Sequence, residues 1–442
     1  MTPIEQSVPL AGAIPCTDLA STYRRIIWRL MPFLLIAFII NAIDRINISF
    51  AKLRMAEDIV LSDAAYGIGA GIFYFGYILF EVPSNLYMQR VGARATLTRI
   101  MVLWGAVTVA TAFVTTANQL IAARFLLGMA EAGFFPGVIL YLTYWFPAAL
   151  RGRITAAFMM SGVIAGVICG PLAGVIMSHL HGWLGLHDWQ VLFVLTGVPA
   201  IVLGIFGWFW LTDKPAQAAW LSPEQKQALA AVLATERDKS HGGFAQVLRD
   251  PRLYVAGLAY FCIYSGSITV SYWMPTLIRD FGLDDLTTIG TVATLPYLGA
   301  LAGMYLLGRS SDRHLERRWH LGLTMLVSAC SFALLGFTQG HAVLSITLMT
   351  LGAAAALSSM PLFWTIPPAF LNAASAAGGI AVISSLGHLA GVVSQTAVGA
   401  IKTATGNLYL AFDLIAAVLV LGALALLIGI PAHSLNERRN GR

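Results

Sequence analysis

The chain has 442 residues, 58% of them hydrophobic and 11% charged, with mean hydropathy +0.75. A soluble domain carries about twice that charged share, many apolar runs approach the ~20 residues that cross a bilayer, and none alternates as a membrane β-barrel does. The net charge of +6 is distributed as a marker of orientation rather than as a nucleic-acid patch, and the scattered Cys16, Cys169, Cys262 and Cys330 suggest neither a disulfide framework nor a metal site.

The fold class that follows is all-α integral membrane, with twelve transmembrane helices in two pseudo-symmetric six-helix bundles. Residues 1–25, with Pro3, Pro9 and Pro15 and no long apolar core, read as a cytoplasmic tail and not as a cleavable signal peptide. Spans are expected near 27–48, 64–87, 96–115, 119–141, 153–177 and 190–211, forming an N-terminal bundle over 26–212. The polar stretch 213–250 is a linker, and Ser222-Pro223-Glu224 inside it carries the marks of a helix start: a capping Ser, Pro at the first helical position, then an acid favoured by the helix dipole. Six more spans, near 252–275, 287–307, 319–338, 342–364, 375–400 and 409–430, form a C-terminal bundle over 251–431, followed by a tail over 432–442. With this arrangement 21 of the 27 Lys and Arg residues fall on the side of the termini, which the positive-inside rule assigns to the cytoplasm. Lys52, Arg54, Arg279 and Lys402 fall on the outer side.

The halves look like copies. Asn85 and Gly308, Gln89 and Asp312, and Arg90 and Arg313 are each separated by 223 residues, about half the chain. Duplicated six-helix halves mark alternating-access transporters, with the site at mid-membrane between them. Two spans also hold charges where lipid tolerates none without a partner or water: Asp44-Arg45 in the first, and Arg124 with Glu131 in the fourth.

The turn Gly308-x-x-x-Asp312-Arg313-x-x-x-Arg317-Arg318 resembles the inner-loop signature of the major facilitator superfamily, and Arg124-Phe-Leu-Leu-Gly128-Met-Ala-Glu131-Ala-Gly133-Phe-Phe-Pro136 resembles its helix-four motif. More narrowly, Asp44-Arg45-Ile-Asn47, Phe80-Glu81-Val-Pro83-Ser84-Asn85, Tyr144-Trp145-Phe146-Pro147 and Phe363-Trp364-Thr-Ile-Pro367 are similar to the anion:cation symporter family, the phthalate-, tartrate-, hydroxyphenylacetate- and sugar-acid-type permeases. The likeness runs from about residue 25 to 430. Departures are Gln89 where the superfamily has Asp, Ala93 where it often has a base, and Ser384 and His388 where the family often has Asn.

The resemblance implies anion binding by Arg45 and Arg124, whose planar forks match a carboxylate. Arg45 is expected a few residues below the outer end of its helix, level with Arg124. Glu131 lies seven residues further along Arg124's own face, ~10 Å deeper. Asp44 and Glu131 are the proton-coupling candidates; the plainer alternative is a structural ion pair joining the first and fourth helices. Tyr74, Tyr77 and Glu81 form a stripe on the second span, the tyrosines as substrate or packing residues and Glu81 as an inner-gate or structural contact. Trp364, Ser384 and His388 are the second half's substrate candidates, in a wall almost free of charge. Arg90, Gly92, Arg94, Gly308, Asp312, Arg313 and Arg317 are expected to gate the inner face, with Asp312 and Arg313 pairing to helix ends when the carrier faces outward. Gly162, Gly166, Gly170-Pro171 and Gly174 read as a packing face, though their run also resembles a drug-antiporter motif. His179, His181, His187 and Asp188 lack the spacing of a known metal site.

The expected function is proton-coupled uptake of an organic carboxylate by a monomer in a bacterial inner membrane, with no cofactor beyond the proton gradient. An efflux antiporter is the alternative. A membrane enzyme lacks a convergent nucleophile or metal cluster, a sensor lacks an output domain, and no P-loop points to ATP.

Overall fold

Helix formers fill every long apolar run, and the computed structural model turns each into a helix; it describes residues 19–237, 248–314, 316–367, 371 and 376–430. The first set of helices is α1 (Leu19–Asp58), α2 (Asp63–Val91), α3 (Ala93–Thr111), α4 (Ala117–Glu131), α5 (Phe134–Thr143), α6 (Ala148–His179) and α7 (Asp188–Trp210). After the linker helix α8 (Pro223–Arg237) come α9 (Pro251–Asp280), α10 (Leu286–Val292), α11 (Leu295–His314), α12 (Arg318–Leu334), α13 (Ala342–Phe363), α14 (Ala376–Thr405) and α15 (Leu408–Gly429). Eleven helical stretches among the described residues are long and apolar enough to span a bilayer. The twelfth, α3, is 19 residues long with Arg94 and Arg99 in its first turns. Residues 1–18 of the expected N-terminal tail and the whole C-terminal tail lie outside the described residues; residues 19–25, expected in the tail, instead form the first turns of α1.

Three spans differ from expectation. The first runs ten residues past its expected outer limit, because the Asp44–Asp58 segment is helical throughout. This puts Asp44-Arg45 in the middle of a helix rather than near its end, and places Lys52 inside the helix, 5% exposed, rather than in a loop. The fourth span breaks at Gly133, whose φ of 89° lies in the left-handed region that glycine adopts without a Cβ penalty. A side chain there would also collide with Ser84. The eighth span breaks between Val292 and Leu295 into α10 and α11. The start of α8 is as expected: Ser222 Oγ accepts from the Gln225 N–H and Gln225 Oε1 accepts from the Ser222 N–H, a capping box.

In the first set α3 packs on α7, α2 on α4, and α1 on α6 and α7; in the second, α9 packs on α13, α14 and α15, and α12 on α13 and α15. The sets meet where α2 lies along α14, α6 along α10 and α11, and α1 along α9. The start of α1, the α2–α3 turn, α8 and the end of α15 share one side, called here the terminal face. On the opposite face the sets interlock through missing side chains. A Cβ on Gly67 would stand 2.5 Å from the Gln395 carbonyl oxygen, and one on Gly174 would stand 2.7 Å from that of Leu286. Hydrogen bonds cross the same seam: Tyr66 Oη donates to the Tyr272 carbonyl at 2.7 Å, and Thr287 bonds Ser178 at 3.0 Å. The buried Lys52 ammonium sits 4.5 Å from the Tyr66 ring and 4.0 Å from the Trp273 ring, and bonds Asp63 at 2.5 Å. The glycines of α6 therefore do what the packing reading expects.

Candidate functional site

Below that seal, side chains from α1, α2, α4, α9 and α14 converge. Arg45 Nε donates to Glu131 Oε2 at 2.7 Å, and Glu131 is wholly buried as the last residue of α4. Arg124, two turns away on α4 and 1% exposed, donates through Nη2 to the Tyr272 hydroxyl at 3.0 Å. This corrects the expected arrangement: Arg45 is level with Glu131, not with Arg124. The two guanidiniums nevertheless share a neighbour, since the Phe73 ring lies 5.2 Å from the Arg45 guanidinium carbon and 4.9 Å from that of Arg124. Arg45 Nη2 and Arg124 Nε and Nη1 are buried without a hydrogen-bond partner. Buried donors of this strength are rarely left unpaired, and three on two guanidiniums flanking one ring suit an anion with two or more oxygens.

Asp44 turns away from this pair although it adjoins Arg45. Its carboxylate accepts from Thr108 of α3 at 2.6 Å and from Asn47 at 3.2 Å, and Asn47 reaches Thr196 of α7 at 2.8 Å. Successive helical residues differ by ~100°, so Asp44 faces α3 while Arg45 faces Glu131 on the adjoining α4.

The stripe on α2 meets the second set of helices. Tyr74 and Tyr77 are buried, and the His388 ring of α14 lies 5.0 Å from Tyr77 and 5.6 Å from Tyr264. His388 Nδ1 stands 3.7 Å from Glu81 Oε2, a cross-set contact that fits the gate or structural reading of Glu81. The side chains of Arg45, Glu81 and His388 retain 18%, 16% and 12% exposure whereas Glu131 retains none, so Glu131 is the most fully enclosed of the four. Ser384, one turn before His388, is half-buried. Trp364 caps α13, half-buried, with its ring 4.9 Å from Tyr260. Tyr264 and Tyr272 were not singled out by sequence, because a Tyr in an apolar run gives no sign of the face it occupies. Lys52 carried a signal, a cation two turns beyond Arg45, that the too-short first span concealed.

The terminal-face residues are not gathered into a clasp. Arg90, Asp312 and Arg313 are exposed, and a side-chain carbon at Gly308 would meet nothing within 4 Å. Among the described residues no ion pair holds Asp312 or Arg313. Gly92 takes a φ of 105° between α2 and α3, and the Arg94 N–H donates to Asp213 Oδ1 at 2.7 Å. Arg317 donates to the Thr365 carbonyl at 2.9 Å, tying the start of α12 to the end of α13. No cluster of three or more metal-ligating side chains occurs among the described residues, the His179–Asp188 loop included.

Long apolar helices, joined by short loops and enclosing a buried arginine–carboxylate cluster between two sets, define a multi-pass membrane protein with the architecture of a solute carrier. The comparisons with known proteins agree. The model of the Major Facilitator Superfamily matches residues 34–395. A Pseudomonas putida protein provisionally named metabolite transport protein NicT is 42% identical over 419 residues, 94% of this chain and 95% of its own. An Agrobacterium vitis protein provisionally named a tartrate transporter is 40% identical, with 92% and 94% covered. A quinolone resistance transporter of Acinetobacter baumannii is 39% identical, with 90% and 92% covered. The crystal structure of a D-xylose–proton symporter superposes with a TM-score of 0.75 at 16% identity, over 92% of this chain and 98% of that one, and so shares the fold. The chain belongs to the major facilitator superfamily and is a membrane transporter, not an enzyme.

Proposed function

We propose that this transporter takes up an organic carboxylate anion together with protons, by alternating access, as a monomer in a bacterial inner membrane with its terminal face in the cytoplasm. The observation that carries the reading is the buried Arg45–Glu131 pair beside Arg124's unpartnered nitrogens. Protonating Glu131 removes its charge and releases Arg45, so that Arg45 and Arg124 together receive a carboxylate across the Phe73 ring. On the cytoplasmic side Glu131 loses the proton, pairs with Arg45 again and displaces the substrate. The arrangement here, sealed on the opposite face with the pair made, corresponds to the carrier after release. Tyr74, Tyr77, Tyr264, Ser384, His388 and Trp364 supply a mixed aromatic and polar surface for the body of the substrate. The name of the A. vitis relative agrees with a carboxylate, and the charge bias of the loops supports the orientation.

The test is uptake into proteoliposomes under an imposed pH gradient, with a panel of aromatic and hydroxy-carboxylates. Glu131→Gln is expected to abolish gradient-driven accumulation while exchange persists. Full gradient-driven uptake by that variant overturns the coupling role. A second reading, efflux by antiport, is favoured by the quinolone resistance relative. It predicts that an inwardly directed proton gradient expels solute rather than accumulating it, and the same preparation decides between the two.

A further inference from the structure

Beneath the Asp44–Thr108 bond lies a set of polar atoms that the site above does not use. Asn41 is fully buried, and both its amide nitrogen and its amide oxygen lack a hydrogen-bond partner. The indole nitrogen of Trp104, also fully buried, is unpartnered, as is Glu131 Oε1. Helix geometry points these atoms toward one another. At ~100° per residue, Asn41 projects between Asp44 and Arg45, one turn nearer the terminal face. Arg45 points to Glu131 on α4 and Asp44 points to Thr108 on α3, so Asn41 faces the wedge between α3 and α4. Trp104 is one turn before Thr108 on α3, which runs the same way as α1, and so occupies the same level. Its ring packs edge-on at 5.0 Å against Phe134, three residues past Glu131. The charged groups around this wedge are Asp44 and Arg45 of α1 and Arg124 and Glu131 of α4; α3 contributes only Thr108 and Trp104.

Leaving a buried donor or acceptor unsatisfied costs about 1–3 kcal/mol per group, and such groups are ordinarily met by ordered water with two to four polar partners. We infer that Asn41 and Trp104 hold a water molecule between Asp44 and Glu131, and that this water passes protons between the two carboxyls. The inference rests on the proton-coupled reading above. In the transfer the protonated carboxyl gives its proton to the water oxygen as the water gives another to the opposite carboxylate; an O–H bond breaks at the donor carboxyl, one forms at the acceptor, and the water, which gains one and loses one, is regenerated. Asn41, with a donor and an acceptor, keeps the water oriented in either direction, and the Trp104 N–H anchors its oxygen. Both are positioning residues.

Two measurements test this. Radiolytic hydroxyl footprinting with mass spectrometry on the full protein labels side chains beside bound water. Trp104 is expected to label several-fold faster than Trp189 and Trp273, whose indole N–H groups already donate to Asp58 and Gln395, and Asn41→Leu is expected to remove that excess. Labelling of Trp104 no faster than those two overturns the hydrated site. In proteoliposomes, with whichever carboxylate of the panel is carried, Trp104→Phe and Asn41→Leu are expected to slow gradient-driven uptake about tenfold, abolish its slowing in D2O, and leave exchange and apparent affinity unchanged. Trp104→Phe removes the indole N–H while keeping an aromatic ring at the site, a smaller change than Asn41→Leu, so it carries the test if Asn41→Leu fails to fold. Parental gradient-driven uptake in Trp104→Phe, while Glu131→Gln has lost it, overturns the relay and leaves the coupling reading intact. Retention of drive by Glu131→Gln overturns the coupling reading and the relay with it.

Discussion

Replacing Gly290 with alanine should unlock the seal on the opposite face. Gly290 of α10 packs against Gly170 of α6, and a Cβ there would stand 2.9 Å from the Gly170 carbonyl carbon, with the Gly174 Cα at 3.3 Å. The obstructing atoms are backbone, so neither helix can give by rotating a side chain. Overpacking of this kind costs about 1–3 kcal/mol, and it falls only on the state in which α6 and α10 touch. A difference of that size shifts the ratio of sealed to open carriers roughly 5- to 150-fold. Thr276 reports it, because it is 9% exposed and its hydroxyl accepts from Lys52 across the seam at 3.4 Å. In a background lacking the native cysteines, a membrane-impermeant maleimide applied from the opposite face should label Thr276→Cys faster by that factor when Gly290→Ala is added. Gly152→Ala, where nothing lies within 4 Å of the added carbon, is the control and should leave the rate alone. An unchanged rate in a folded Gly290→Ala carrier would refute the argument that this glycine contact sets the conformational balance.

Two further outcomes follow from local chemistry. Arg124→Lys keeps the charge but loses the fork, including the bond to Tyr272; a charge-assisted hydrogen bond contributes about 1.5–3 kcal/mol, so apparent affinity for the carried anion should weaken roughly 10- to 100-fold in counterflow assays, and an unaltered value excludes Arg124 from substrate contact. Asp285 caps α10, and the Thr288 hydroxyl and backbone N–H hold its carboxyl below the usual aspartate range. A lowered folded value means that its contribution to stability is present above the ordinary aspartate range and disappears as pH falls through the folded value. The melting temperature of Asp285→Asn should therefore fall below the parent's near neutral pH, and the gap should close on acidification; a constant gap contradicts the assignment.

Much of this carrier is legible in one dimension because a bilayer imposes simple rules. A backbone crossing lipid must satisfy its own hydrogen bonds, so each apolar run of sufficient length becomes a helix. Ser222 announces α8 because capping is a matter of adjacent residues. Arg124 and Glu131 share a face because the seven-residue interval fixes it. The errors lie where one helix must be measured against another. Ending the first span at 48 made Arg45 seem shallow, and the polar residues Lys52, Arg54, Glu57 and Asp58 that suggested a loop are helical. Their tolerance comes from neighbours: Asp63, Tyr66 and Trp273 enclose Lys52, and Asp188 faces Arg54.

The sequence by itself determined the helical class, the duplication and the set of ionisable residues that lipid cannot accommodate alone, since each depends on composition or on intervals along a single helix. Only the tertiary structure decided which charges meet. It joined Arg45 to Glu131, turned Asp44 toward Thr108, brought His388 against Tyr77 and Glu81, and left Arg124 with nitrogens to spare. Those choices depend on the azimuth and height of α1, α2, α4 and α14 relative to one another, which close glycine contacts and the break at Gly133 set and which no periodicity within one helix records.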